Sequence, residues 1–215
     1  ILLSLSLFIF SLNGQVPSWS PEVSIQLKRI SDLNFSKDGN HIAMVVREAL
    51  IAGEKSEYLN QIWVFNDGGK SLTQFTYNNK SSSHPRFSPD GQHLAFISNR
   101  TEKPQIWMMK SNGGEAWQFS YEKEGIGSFK WSTDGNEIAF LMKDPKTELE
   151  EKNEKEKKDV IMVNQNFKYS HLYLKQFSSG IDTSKAERIT EGSFDITGFD
   201  WDPDGSQIIF AHANE

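Results

Sequence analysis

The chain has 215 residues and contains no cysteine. It can therefore form no disulfide framework, no thiolate nucleophile and no zinc–thiolate site. An excess of basic charge is also missing, because 23 Lys and Arg residues stand against 29 Asp and Glu residues, for a formal net charge of -6. Such a surface repels phosphate backbones, so we expect no nucleic-acid partner. The 37% of hydrophobic residues excludes wholesale disorder.

Catalytic and ligand-binding motifs are missing as well. The sequence has no Gly-x-Ser-x-Gly elbow of a hydrolase and no glycine-rich phosphate loop. Its five histidines are scattered, with no pair at metal-ligand spacing. His41 and His93 follow Asp-Gly pairs at the same distance, where we expect exposed strand residues. The sequence thus predicts no catalytic residue, no cofactor and no metal ligand in this chain.

One long apolar run lies at the N-terminus. Residues 1–12 are apolar except for three serines, and Asn13-Gly14-Gln15 follows. A run of this length cannot span the hydrocarbon core of a membrane, which takes about 20 helical residues. It predicts a signal peptide over residues 1–14, export to the periplasm or the extracellular space, and no membrane span after its removal. A buried strand or a membrane anchor is the alternative. Since the run opens with Ile1, without Met or a basic residue, we expect the sequence to be truncated here.

Four segments share one pattern: an aromatic residue, a polar residue, an Asp-Gly pair and a short apolar stretch. This pattern is typical of a tight hairpin, because Asp bonds back to nearby backbone and Gly adopts the positive φ that other residues resist. We interpret these segments as structural turns rather than ligand sites. The turn residues are Asp38, Gly39, Asp90, Gly91, Asp134, Gly135, Asp204 and Gly205.

Further strand-like stretches follow each turn. Residues 61–65 and 105–109 are rich in residues that favour strands, residues 171–174 are a weaker copy, and a last short strand closes each unit. The turn glycines recur after 52, 44 and 70 residues. Four strands in about 40–50 residues is the period of a propeller blade.

The predicted fold is all-β, an incomplete β-propeller of about three and a half four-stranded antiparallel blades. The domain covers residues 20–215. Its blades are expected at about residues 31–76, 82–120, 126–190 and 194–215. The third unit is long because of an insertion over residues 143–158, where 12 of 16 residues are charged. Such a segment buries too little to pack, so we expect a solvated loop or an exposed helix.

Several stretches resemble known families. Residues 87–96, followed by Ser98-Asn99-Arg100 and Gln105-Ile106-Trp107, closely resemble the TolB-like propeller repeat. Residues 26–32 and the third unit, over residues 159–192, resemble prolyl-oligopeptidase-family serine peptidases, in particular acylaminoacyl-peptidase-like and dipeptidyl-peptidase-like members. The resemblance covers the chain from about Ser20 onwards.

In that family an N-terminal propeller caps an α/β-hydrolase domain with a Ser-Asp-His triad and admits peptides but not folded proteins. The resemblance therefore implies the substrate-gating propeller of a secreted serine peptidase, with peptide substrates and a C-terminal hydrolase domain as partners. No triad residue can be assigned in this chain. One alternative is a TolB-like periplasmic scaffold that binds partner proteins, although TolB places an α/β domain before its propeller. Another is a different propeller enzyme or a glycan-binding protein.

Overall fold

The computed structural model describes residues 20–52, 55–66, 68–158 and 167–213, so the predicted signal peptide lies outside the described residues. Neither helix in these ranges has the length and hydrophobicity needed to cross a bilayer. The elements in chain order are α1 (Pro21–Gln26), β1 (Arg29–Phe35), β2 (Ile42–Ala52), β3 (Lys55–Asn66), β4 (Ser71–Gln74), β5 (Ser82–Phe87), β6 (His93–Ser98), β7 (Gln105–Lys110), β8 (Trp117–Gln118), β9 (Ile126–Trp131), β10 (Glu137–Lys143), α2 (Glu148–Lys155), β11 (Ser170–Gln176), β12 (Glu187–Arg188), β13 (Asp195–Trp201) and β14 (Ile208–Ala213).

The strands form four separate antiparallel sheets in sequence order. Three sheets have four strands each, β1 to β4, β5 to β8 and β9 to β12, and the fourth pairs β13 with β14. Within each sheet every strand pairs with its neighbour in the chain, and the longest connection is the one between β10 and β11, which contains α2. The predicted all-β fold of four-stranded antiparallel units, with an incomplete propeller as its architecture, is confirmed.

The hydrophobic core lies between neighbouring sheets. The first and second sheets enclose a cluster that includes Val64 and Phe96, and the second and third enclose a larger one around Phe119 and Phe140. A third cluster, which includes Phe199, joins the third sheet to the fourth. Because the side chains of a strand alternate between its two faces, an inner sheet can contribute to two clusters at once. Face-to-face stacking of this kind is the packing of propeller blades.

The charged insertion contains helix α2. Thr147 caps it, since the Thr147 hydroxyl accepts the N–H of Glu150 at 3.3 Å and the Glu150 carboxylate accepts the N–H of Thr147 at 2.6 Å. None of the helix residues is buried. The start of the insertion is different, because Lys143 is the last residue of β10 and Asp144 lies 3.0 Å from the Arg188 guanidinium. The part of the insertion that is exposed and forms no strand therefore begins after Asp144.

Replacing residues 146–157 with a short Gly-Ser linker is expected to change the free energy of unfolding by less than about 1 kcal/mol, because no buried residue is removed and the ion pairs lost are exposed or, for Lys168 with Glu150, only partly buried. Urea unfolding followed by tryptophan fluorescence measures this. Limited digestion with trypsin should also cut first in this segment. As a control, the deletion extended through Asp144 should cost more, since Arg188 then loses its carboxylate. A first cut within residues 94–109 would contradict the assignment.

Candidate functional site: repeat turns and first strands

The eight turn residues lie between the first and second strands of the four sheets. The φ angles of the turn glycines range from +72° to +79°. In the first turn the Ser36 hydroxyl donates to the Asp38 carboxylate at 2.6 Å, and the Asn40 N–H donates to it at 3.0 Å. The second and third turns repeat this pattern with Ser88 and Asp90 and with Ser132 and Asp134. These carboxylates act as acceptors that hold the turns.

The hydrogen bonds explain the acidity of the turn carboxylates. Donation from Ser36, and then from the backbone and side chain of Asn40, lowers the pKa of Asp38 from 3.8 to about 2. The equivalent bonds from Ser132 and Asn136 lower the pKa of Asp134. A carboxylate whose lone pairs are engaged in this way stays ionised and stabilises the turn. Over the described ranges, no three His, Asp or Glu side chains converge as metal ligands.

A second repeated arrangement, the glutamine anchor, involves a buried glutamine of the third strand. The Gln61 carbonyl oxygen accepts from the Thr76 hydroxyl at 2.6 Å, and that hydroxyl oxygen accepts the Ile62 N–H at 2.9 Å. The Gln61 amide donates to the carbonyl of Asn78 at 2.7 Å. Residue 78 belongs to the connection that leads into the next sheet, so the anchor ties neighbouring sheets together.

The second sheet contains the same anchor, with Gln105 bonded to Ser120 at 2.6 Å and to the carbonyl of Glu122 at 3.0 Å. Gln105 is 3% exposed and Ser120 is fully buried. Sequence reasoning missed the anchor. A signal for it exists, since in both sheets the hydroxyl residue follows the glutamine by 15 positions. The anchor satisfies polar atoms that would be costly to bury alone.

Charged side chains link the first strands of neighbouring sheets. Arg86 Nη1 on β5 donates to Asp32 Oδ1 on β1 at 2.7 Å, and His84 Nδ1 lies 3.7 Å from the same carboxylate. Lys130 on β9 and Asp200 on β13 are 2.8 Å apart. We call these five residues the first-strand row. Strand β1 contacts β5, and β5 contacts β9, so the first three sheets meet at their first strands.

The backbone of the row is irregular at two members. Asp32 and His84 have φ angles of +50° and +54°. Both lie where the register between the first and second strands shifts, between Ser31 and Asn34 and between residues 83 and 86. Such bulges twist a strand and redirect its side chains. Here they place Asp32 and His84 next to each other, at partly exposed positions.

The first-strand row has the chemistry of a polar contact surface. It supplies carboxylates and cations, which can bind the charged ends or the amide groups of a peptide, but it includes no serine nucleophile with an adjacent base. Sequence reasoning missed it because Asp32 and Arg86 are 54 residues apart. No local pattern records which residues meet when two sheets converge.

Two histidines differ from expectation. His41 and His93 are half-buried rather than exposed, because aromatic rings pack against them. The His41 ring centroid is 6.0 Å from that of Phe87 in the next sheet, and the His93 ring lies 5.1 Å from Phe177. The prediction of exposed strand residues is therefore wrong, since stacking of the next sheet covers them.

Residues 16–170 match the family model of the TolB beta propeller domain. The chain belongs to this family. Its propeller is also similar to an acylaminoacyl peptidase solved in complex with Z-Gly-Gly-Phe-chloromethyl ketone, with a TM-score of 0.64 and 20% identity over 89% of this chain and 29% of that chain. A puromycin-hydrolyzing peptidase of Mycobacterium tuberculosis gives a TM-score of 0.59 at 13% identity, over 86% of this chain and 28% of that one.

TolB from Acinetobacter baumannii gives a TM-score of 0.51 at 17% identity, covering 82% of this TolB propeller and 36% of that chain. These structural similarities show the fold. In sequence, 71 residues are 35% identical to the uncharacterized peptidase YuxL of Bacillus subtilis (strain 168), which covers 33% of this chain and 10% of YuxL. The chain thus spans a small part of the peptidases it matches. The predicted resemblance to TolB-like propellers of prolyl-oligopeptidase-family peptidases is confirmed.

Proposed function

We propose that this TolB propeller is the N-terminal part of an exported serine peptidase and gates access to a C-terminal α/β-hydrolase domain. The observation that carries the proposal is the 35% identity to a peptidase over 71 residues. In this proposal residues 1–14 are a signal peptide and each sheet is one blade, at about residues 31–76, 82–120, 126–190 and 194–215. Residues 143–158 are an insertion in the third blade.

Gating follows from the way blades surround a central channel. The first three sheets meet at their first strands, so in a closed ring these strands would face the channel. The first-strand row then presents Asp32, Arg86 and Lys130 to any peptide that passes. An extended peptide is narrow enough to enter such a channel, whereas a folded domain is not. The charged side chains of the row keep the channel polar and hydrated for an entering peptide, and they take no part in its cleavage.

The complete gene product tests the catalytic part of the proposal. A fluorophosphonate probe should label one serine, within a Gly-x-Ser-x-Gly elbow beyond residue 215, and replacing that serine with alanine should abolish labelling and turnover of acyl-alanine and X-proline chromogenic substrates. Residues 20–213 alone should remain unlabelled. Absence of a labelled serine in the complete product would contradict the peptidase and favour the alternative, a TolB-like scaffold that binds partner proteins.

Gating is tested in the same preparation with one cleavable sequence in two contexts. As a free peptide it should be cleaved, and within a surface loop of a stable folded protein it should remain intact. A peptidase that cleaves both at equal rates would have no size-selective propeller. Heat-unfolded carrier protein is the matched control, since unfolding should restore cleavage of the same bond.

A further inference from the structure

The third sheet departs from the glutamine anchor at one residue. His171 on β11 occupies the position of Gln61 on β3 and Gln105 on β7. Each of these three residues pairs with a residue of the second strand that lies three positions after an alanine. The partners are Val46 for Gln61, Ser98 for Gln105 and Met142 for His171. The register therefore aligns a titratable side chain with two neutral amides.

The hydroxyl half of the anchor is kept in the third sheet. The Thr190 hydroxyl oxygen accepts the Leu172 N–H at 3.0 Å, as the equivalent hydroxyl oxygens accept from Ile62 and Ile106 at 2.9 and 2.8 Å. His171 Nδ1 lies 3.2 Å from the Thr190 oxygen. The side chain of His171 is fully buried, so the imidazole takes the same interior position as the glutamine side chains.

The amide half of the anchor is weaker in the third sheet. Gln61 and Gln105 each donate to a carbonyl of the connection that enters the next sheet. His171 Nε2 is buried and forms no hydrogen bond of comparable geometry with the described residues, although the backbone of Gly192 in the equivalent connection acts on the ring. The Asp144 carboxylate lies 3.7 Å from Nε2. The third junction therefore keeps the contact between Nδ1 and Thr190, beside the 2.7 Å hydrogen bond from the Ser170 N–H to the Asp195 carboxylate and the apolar cluster that includes Phe199.

The direction of the hydrogen bond with Thr190 depends on the protonation of His171. Neutral histidine with its hydrogen on Nε2 accepts the Thr190 hydroxyl hydrogen at Nδ1, as the glutamine oxygen does. Imidazolium has no acceptor and can only donate its Nδ1–H to the Thr190 oxygen, so the Thr190 hydroxyl hydrogen loses its partner and a positive charge enters a buried site. The groups that face the ring are Asp144 after β10, Arg188 on β12, the backbone of Gly192, Asp195 at the start of β13, and Phe194, whose ring separates His171 from His212.

These surroundings oppose protonation. Burial, and then the nearby Arg188, lower the pKa of His171 from its ordinary value of 6.5, although Asp144, the Gly192 backbone and Asp195 act in the opposite direction. Since the unfolded chain then takes up a proton more readily than the folded one, the stabilisation is complete above about pH 6.5 and is lost as the pH falls through the folded value.

We propose that His171 makes the junction between the third and fourth sheets an acid-sensitive release point, while the glutamine-anchored junctions are insensitive to pH. The proposal is independent of the catalytic one, because it concerns only how this chain holds its own sheets together. Mildly acidic solution loosens the connection over residues 190–195 and leaves those over residues 76–81 and 120–125 closed.

Hydrogen exchange of the complete chain, resolved to single amides, tests the proposal. The Leu172, Ile62 and Ile106 amides donate to equivalent hydroxyls and are internal controls for one another. Between about pH 7.5 and about pH 5, after correction for intrinsic exchange, protection of Leu172 should fall about tenfold for each unit by which folding lowers the pKa of His171. Protection of Ile62 and Ile106 should stay constant.

Two substitutions complete the test. His171→Gln should abolish the acid sensitivity at Leu172, and Gln105→His should create it at Ile106. Equal protection of Leu172 at both pH values in the wild type, or unchanged acid sensitivity in His171→Gln, would overturn the proposal. Should His171→Gln fail to fold, the wild-type comparison and Gln105→His decide the outcome by themselves.

Discussion

Replacement of Phe140 with alanine is expected to lower the free energy of unfolding by about 3–5 kcal/mol. Phe140 is fully buried in the cluster between the second and third sheets and stacks on Tyr173 with the ring centroids 5.8 Å apart. Removing the ring leaves a cavity that the paired strands around it cannot close. The loss is large against a typical total of about 5–15 kcal/mol. Equilibrium unfolding in urea, followed by tryptophan fluorescence, measures it.

Phe210→Ala is the matched control for this substitution. Phe210 also lies on the second strand of a sheet, but it is 38% exposed. Its truncation should cost clearly less than that of Phe140, because a smaller apolar area returns to water. Equal losses for the two variants would mean that packing between neighbouring sheets is not what stabilises this chain.

Replacement of Gln105 with leucine is expected to cost about 2–3 kcal/mol, even though the side chain is nearly isosteric. Gln105 is 3% exposed and accepts hydrogen bonds from the Ser120 hydroxyl and from the Glu122 N–H, at 2.6 and 3.1 Å. Leucine leaves these buried donors without an acceptor and the Glu122 carbonyl without a donor. The same urea unfolding experiment measures the loss.

Gln92→Leu is the control for the anchor. Gln92 is exposed in the second turn, and there its backbone N–H, not its side chain, donates to Asp90. We expect a change within about 0.5 kcal/mol. If both leucine variants were equally stable, the buried anchor would contribute nothing to the cohesion of the sheets, and the exchange experiment on His171 would lose its structural basis.

The repeat turns could be predicted because their physics is local. Ser36, Asp38 and Gly39 interact within a few residues of each other, and Gly39 adopts its positive φ in the turn itself. The same local pattern recurs four times, so its spacing also indicated the four-stranded unit. Helix α2 within the charged segment agrees with the expected exposed loop or helix, because such a composition offers nothing to bury.

The glutamine anchor was only partly readable from the sequence. The interval of 15 residues between Gln61 and Thr76, and between Gln105 and Ser120, is visible in the printed chain. Its meaning depends on the third strand and the following connection being adjacent in space. In the third sheet histidine replaces the glutamine, and the interval from His171 to Thr190 is 19 residues instead of 15. These two differences hide the equivalence in the sequence, and only the strand register reveals it.

By itself the sequence determined the all-β class, the four-stranded unit, the turn residues and the charged insertion, because hairpins and solvated segments arise from interactions between near neighbours. Tertiary structure alone decided the rest. The pairing of Asp32 with Arg86, the cover over His93 and the burial of His171 all arise where one sheet stacks on the next. Such contacts join residues that are far apart in the chain, so their positions depend on how whole sheets converge and not on any local pattern.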